Sequence, residues 1–156
     1  MKLISKMISI LFLFISLSCQ KEEISISQNA KDFFFLKNDG AEMPIFVEGN
    51  TASNTFVIFL HGGPGGSSMG YRDLKVFSEI EENYAVVYWD QRCAGTSQGN
   101  CDPDKLSVNK YKEDLDKLIS LLQYRYGENI SLFLMGHSWG GTLALAYSST
   151  DNYQAK

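Results

Sequence analysis

The stretch that most constrains this chain is Leu132-Phe133-Leu134-Met135-Gly136-His137-Ser138-Trp139-Gly140-Gly141. Four consecutive apolar residues suit a strand buried on both faces. The glycine-spaced serine that follows (Gly136, Ser138, Gly140) leads into Thr142-Leu143-Ala144-Leu145-Ala146-Tyr147, which reads as a helix start. A strand that turns sharply into a helix around a serine is a nucleophile elbow. Its glycines let two chain segments crowd together, and the strained turn lifts Ser138 Oγ above the sheet. The first amides of the new helix then point where an anion would sit.

A glycine-spaced serine is common in loops, so its weight comes from context. His61-Gly62-Gly63-Pro64-Gly65-Gly66 follows a second apolar run, Thr55-Phe56-Val57-Ile58-Phe59-Leu60. Glycines directly after a parallel strand can turn a backbone N–H toward a developing oxyanion. A flexible turn or a phosphate cradle would use the same residues. No Gly-Lys-Ser/Thr closes the run, which disfavours a Walker-type loop.

With HGGPGG at 61–66, YWDQRCAGTS at 88–97 and GHSWGG at 136–141, the chain resembles the α/β-hydrolase superfamily, and within it the proline iminopeptidase-like serine peptidases. The resemblance runs from about Phe33 to the last residue. In one place the chain departs from it: the family usually has glycine after Asp-Gln-Arg, where this chain has Cys93. The fold implied is α/β, the N-terminal half of the hydrolase fold. It comprises an antiparallel hairpin, then parallel strands with flanking helices, in an incomplete sheet.

The chain has 156 residues, 44% of them hydrophobic, enough for one domain-sized core. Residues 1–18 carry Lys2 and Lys6 and no acid, so removing them takes the net charge from −4 to −6. That balance argues against nucleic acid as a partner. The two lysines form a basic n-region, and residues 7–17 are apolar but for Ser9 and Ser16, which reads as a signal peptide, shorter than a bilayer span. Ser16-Leu17-Ser18-Cys19 resembles a bacterial lipoprotein signal, in which Cys19 becomes the lipidated N-terminus, although the usual leucine is replaced by Ser16. An ordinary secretory signal with a chance cysteine is the alternative. The lipoprotein reading implies the bacterial cell envelope, with the protein lipid-anchored at the outer membrane on its periplasmic or surface face. Gln20-Lys21-Glu22-Glu23 resembles the acidic tag of surface-directed lipoproteins. Residues 19–31 thus comprise the lipidated cysteine and a polar tether, and 32–156 a partial hydrolase domain.

Within that domain, residues 31–37 and 43–48 read as strands of a hairpin about Asn38-Asp39-Gly40. Residues 50–54 form a polar turn. A helix lies within 66–82, with Leu74, Phe77 and Ile80 at helical spacing, and 84–89 form a strand ending in Asp90-Gln91-Arg92. Asp90 and Arg92 are expected to hold loops rather than to do chemistry. Cys93 and Cys101, with seven residues between them in a loop, can pair in an oxidising compartment or remain free thiols. No histidine lies near enough to complete a zinc set, and no metal or organic cofactor is implied. Residues 107–126 read as a helix with Leu115, Leu118, Ile119, Leu122 and Tyr126 on one stripe, ended by Gly127, with Lys112, Glu113, Asp116 and Lys117 on a solvated face.

The chemistry implied is attack by Ser138 on an acyl carbon of a peptide or a small ester or amide. The backbone N–H of Trp139 and that of Gly63, with Gly62 as the alternative, would stabilise the oxyanion. Loss of one such donor costs about 3 kcal/mol. In this fold the acid and then the histidine follow the serine. Only 18 residues follow Ser138, and Asp151 comes too early for the acid. His61 and His137 occupy neither base position. The chain is therefore expected to hold the first half of a hydrolase and to show at most trace activity alone. In that case the strand at 132–136 would be an unpaired apolar edge. A non-catalytic envelope lipoprotein is the contrasting expectation.

Overall fold

The hairpin that opens the domain is set by two residues. Asp39 and Gly40 both have positive φ (49° and 76°), the turn geometry whose twist matches that of the strands it joins. It connects β1 (Ala30–Asn38) to β2 (Ala41–Gly49) in antiparallel register, with Phe33 opposite Phe46 and Leu36 opposite Met43. The computed structural model describes residues 30–149; the expected signal peptide, Cys19 and nearly all of the tether lie outside them. A 3-10 turn at Thr51–Ser53 leads to β3 (Thr55–Leu60). Then come α1 (Lys75–Glu81), β4 (Ala85–Trp89), the two-residue β5 (Gln98–Gly99), α2 (Val108–Tyr126), β6 (Ser131–Gly136) and α3 (Trp139–Ser148).

The main sheet runs β1-β2-β4-β3-β6, and β5 pairs with β2 beyond this path. The pairs β1/β2 and β2/β4 are antiparallel; β4/β3 and β3/β6 are parallel. Alternation along β3 and β4 divides the core. Ile58, Leu60, Val87 and Trp89 pack beneath α2 and α3 with Leu115, Leu118, Leu122 and Leu143. Phe59, Val86 and Tyr88 pack with Phe77 of α1 on the other face. Strand β3 thus sends its chain to a helix on one face, and its neighbour β6 sends its own to the opposite face. A crevice opens at such a point, beyond the carboxyl ends of the two strands.

Several local expectations change. β6 is not buried on both faces: it pairs only with β3 among the described residues, and Phe133 is 59% exposed. Helix α3 starts at Trp139, three residues before the expected Thr142, because the turn around Ser138 is already its N-cap. Leu74 does not join the buried stripe of α1; it is that helix's N-cap, in extended backbone, and exposed. In α2, Ser107 is the N-cap, its hydroxyl accepting from Lys110 N–H, and the Gly127 amide closes the last turn on Gln123. The polar face of α2 is not wholly solvated. Tyr147 Oη donates to Asp116 at 2.9 Å, and Asn38 Nδ2 donates to Glu113 at 3.2 Å.

Asp114, on the buried stripe of α2, holds the layers together. Arg92 Nε and Nη2 donate to its two oxygens at 2.7 and 2.8 Å, and Asn38 Nδ2 donates to it at 2.6 Å. Both side chains of the ion pair are fully buried. The hydrogen bonds that Arg92 donates to Asp114 raise the guanidinium pKa, burial lowers it, and on balance it is raised. In urea denaturation, Asp114→Ala is expected to cost about 3–5 kcal/mol by stranding a buried guanidinium, while the double variant Arg92→Met/Asp114→Leu should cost far less, since both charges leave together.

Candidate active site

The turn between β6 and α3 is built from the residues expected. Ser138 has φ 53° and ψ −116°, a strained left-handed conformation for a residue with a Cβ, and it is exposed. The glycines on either side are required by close approach. A Cβ on Gly136 would lie 2.4 Å from the Gly141 nitrogen, and one on Gly140 would lie 1.9 Å from the Leu60 carbonyl oxygen. His137 N–H donates to that same oxygen at 3.0 Å, so the end of β3 and the elbow are fastened directly. Gly140, Gly141 and Thr142 donate their amides to His137 and Ser138 carbonyls. Among the described residues, the Trp139 N–H has no acceptor.

The 61–66 loop comes against this turn. A Cβ on Gly62 would sit 3.3 Å from Ser138 Cβ and 2.9 Å from His137 Nδ1. Gly63, at φ 131°, folds the loop tightly, and Gly66 N–H donates back to the Gly62 carbonyl at 3.2 Å. Among the described residues the Gly62 and Gly63 amides have no acceptor either. The arrangement gathers an exposed hydroxyl and unspent amides from two loops.

His61 is fully buried, and backbone groups engage both ring nitrogens. Its Nε2 accepts from Gln91 N–H at 3.1 Å, so Nδ1 carries the hydrogen and donates to the Gly62 carbonyl at 2.8 Å. It is a scaffold residue. His137 lies at the rim, with Nδ1 3.3 Å from Tyr71 Oη. Among the described residues nothing hydrogen-bonds Ser138 Oγ.

Gln91, which the sequence did not single out, bridges the two loops. Its Nε2 donates to the His61 carbonyl at 3.3 Å and its Oε1 accepts from Trp139 Nε1 at 2.9 Å. Its neighbour Asp90 holds the flanking loops, as expected of it. One oxygen accepts from Ser68 N–H at 2.7 Å, the other from Thr96 N–H at 2.7 Å, and the hydroxyls of Ser67, Ser68 and Thr96 add to these. A Cβ on Gly95 would lie 2.1 Å from Asp90 Oδ2, so that glycine makes room for the carboxylate. Burial pushes the Asp90 pKa up, but the Thr96 and Ser68 donors outweigh it and hold the carboxyl below its usual range.

Cys93 and Cys101 form a disulfide with Cα atoms 5.3 Å apart. Cys93 adopts φ 56°, a conformation that suits the glycine usual at this position. Beside the 61–66 loop, Pro64, Gly65, Cys93, Leu106, Val108, Tyr111 and Trp139 line an apolar cleft of about 330 Å³. Tyr111 meets Trp139 edge-on at 5.4 Å. Among the described residues no group of three His, Cys, Asp or Glu side chains could hold a metal ion.

Gly140→Ala is expected to abolish cooperative thermal unfolding or to lower stability by more than about 3 kcal/mol, because backbone blocks the new methyl. Gly141→Ala should be neutral or stabilising by up to about 1 kcal/mol, since its Cβ would meet nothing nearer than 3.8 Å inside a helix. For Asp90, a depressed native pKa contributes stability above the unfolded value and loses it as pH falls through the native one. In urea denaturation the stability gap between the wild type and Asp90→Asn should stay constant from about pH 7 to about 5 and shrink below about pH 4.

The family model "Serine aminopeptidase, S33" matches residues 51–156. The chain is 34% identical over 103 residues to "Probable aminopeptidase YbaC" of Bacillus subtilis, covering 65% of this chain and 31% of that protein. It is 38% identical over 96 residues to a proline iminopeptidase of Saccharolobus solfataricus, covering 62% and 29%. A solved proline iminopeptidase-related protein of Thermus thermophilus matches at TM-score 0.63 and 28% identity, over 76% of this chain and 40% of that one. The chain thus spans about a third of the length of the curated relatives it matches. Sheet order, elbow and family match agree, and the chain belongs to the S33 serine aminopeptidase family of α/β hydrolases.

Proposed function

We propose that the chain supplies the nucleophile and oxyanion hole of a serine aminopeptidase that releases N-terminal residues, proline among them. Ser138 Oγ attacks the acyl carbon, and negative charge develops on the carbonyl oxygen. The amides of Trp139 and Gly63 donate to that oxygen, with Gly62 as the alternative donor on its loop. The observation that carries the reading is the exposed, strained serine with Gly62 packed against its Cβ. The scissile residue's side chain occupies the apolar cleft beside Trp139. The names of the relatives support the peptidase assignment.

Serine needs a base to accept its proton. His61 spends both nitrogens on backbone, and His137 faces Tyr71, so neither histidine of this chain takes that role. The base and its orienting acid belong to a further part of the active protein. An esterase or amidase is the second reading, favoured by the cleft: none of its lining residues carries a carboxylate to hold a peptide's α-ammonium group. The engaged histidines also favour a third, a non-catalytic envelope lipoprotein. In each case we assign Cys19 as the lipidated residue and the envelope as the location.

In protein isolated from its native host, Ser138→Ala should lower hydrolysis of prolyl and alanyl arylamides at least about 10³-fold. Unchanged turnover overturns the nucleophile assignment. A higher kcat/KM on short-chain aryl esters than on arylamides supports the esterase reading instead. The 156-residue chain alone should show at most trace turnover, and Ser138-dependent activity from it would contradict the account of the base.

A further inference from the structure

Strand β1 alternates in a way its place in the fold does not require. Phe34 and Leu36 turn into the core shared with α2, as a half-buried strand demands. The intervening positions are Lys31, Phe33, Phe35 and Lys37, and all four are exposed. Phe33 is 50% and Phe35 41% exposed. The two rings meet edge to face at 5.0 Å, and Phe33 stacks on Phe46 of β2 at 4.5 Å. The Arg72 guanidinium lies over the Phe46 ring at 4.3 Å. The result is a continuous aromatic surface with a cation at each end and a third at its flank. Its acids are already engaged: Glu42 pairs with Lys37 at 2.7 Å, and Glu48 pairs with Arg72. Among the described residues no carboxylate pairs with Lys31.

We propose that this face of the β1–β2 hairpin rests on the bilayer surface to which Cys19 tethers the domain. The tether's length argues for that occupant. Ten residues separate Cys19 from Ala30, a reach of about 35 Å at full extension. The stripe begins at Lys31, the second residue of β1 and the last of the expected tether, so any anchor at Cys19 holds it near the headgroups. The chemistry matches as well. Aromatic rings favour the interfacial zone, and lysine and arginine extend their charges to lipid phosphates from an apolar base. A second copy fits poorly, because a two-fold contact across β1 would set Lys31 against the partner's Lys37.

Contact along β1 lays the strands beside the membrane rather than upright on it. Ala30 pairs with Gly49, and Gly49 with Ala85 at the entry of β4, so the tether joins at the end of the sheet remote from Ser138. The cleft beyond β3 and β6 then opens sideways, along the bilayer. Lipidation sets the proximity and the hairpin sets the orientation, so this inference rests on the anchoring reading for closeness alone.

The test places photoreactive p-benzoylphenylalanine at position 33 of the whole protein, or at Tyr124 on α2 as an exposed control. The protein is reconstituted in vesicles of phosphatidylethanolamine and phosphatidylglycerol and irradiated. A phospholipid adduct at least fivefold more abundant from position 33 than from 124 is expected, falling severalfold when Phe35→Ser and Lys31→Glu are added. Equal adduct from both positions, or crosslinked dimers from position 33, overturns the proposal. The mass of the N-terminal peptide reads the anchor separately. If Cys19 carries no lipid, the same irradiation is run on released protein mixed with vesicles, where adduct at position 33 upholds the hairpin contact and its absence ends it.

Discussion

One carbonyl fixes the geometry on which the site depends. The Leu60 oxygen closes β3, accepts the His137 amide at 3.0 Å, and stands where any side chain at position 140 would have to go. Through it, the end of one strand and the start of a helix on the next become a single rigid joint. The serine's strained backbone persists because this joint overdetermines it. The 61–66 loop begins at the very next residue, so the amide-bearing loop and the serine-bearing turn take their positions from the same atoms.

Three consecutive residues at the end of β4 then divide the work of holding that joint in its surroundings. Asp90 turns toward the loops at 67–68 and 96–97, Gln91 toward His61 and Trp139, and Arg92 toward Asp114 and the hairpin. Each is fully buried, and each side-chain polar group except Arg92 Nη1 finds a partner. Burying so much polarity is costly unless it is satisfied, and a satisfied network admits very few alternative arrangements. Beside it, Cys93 holds a left-handed conformation while the disulfide closes its loop onto Cys101.

The elbow, the glycine loop and the hairpin were legible because local chemistry dictates them: glycines where backbones touch, and Asp-Gly where the chain reverses. What was hidden depends on distant partners. Gln91 reaches Trp139 across 48 positions, and no local pattern marks it. Asp114 left a faint trace, since it sits among Tyr111, Leu115 and Leu118 on a stripe otherwise apolar, where an acid implies a buried cation. The burial of β6 was overestimated because four apolar residues are compatible with a covered strand, whereas its exposure depends on the neighbours the sheet provides. Leu74 kept helical spacing, but the chain there was still extended.

Trp139 combines two duties in one residue. Its indole walls the apolar cleft, held edge-on by Tyr111 and pinned by Gln91, while its main-chain N–H stands at the start of α3. In the chemistry proposed here, a poorly fitting guest that displaces the ring also disturbs the donor facing the tetrahedral adduct. Selectivity would then be expressed in how fast bound molecules react more than in how tightly they are held.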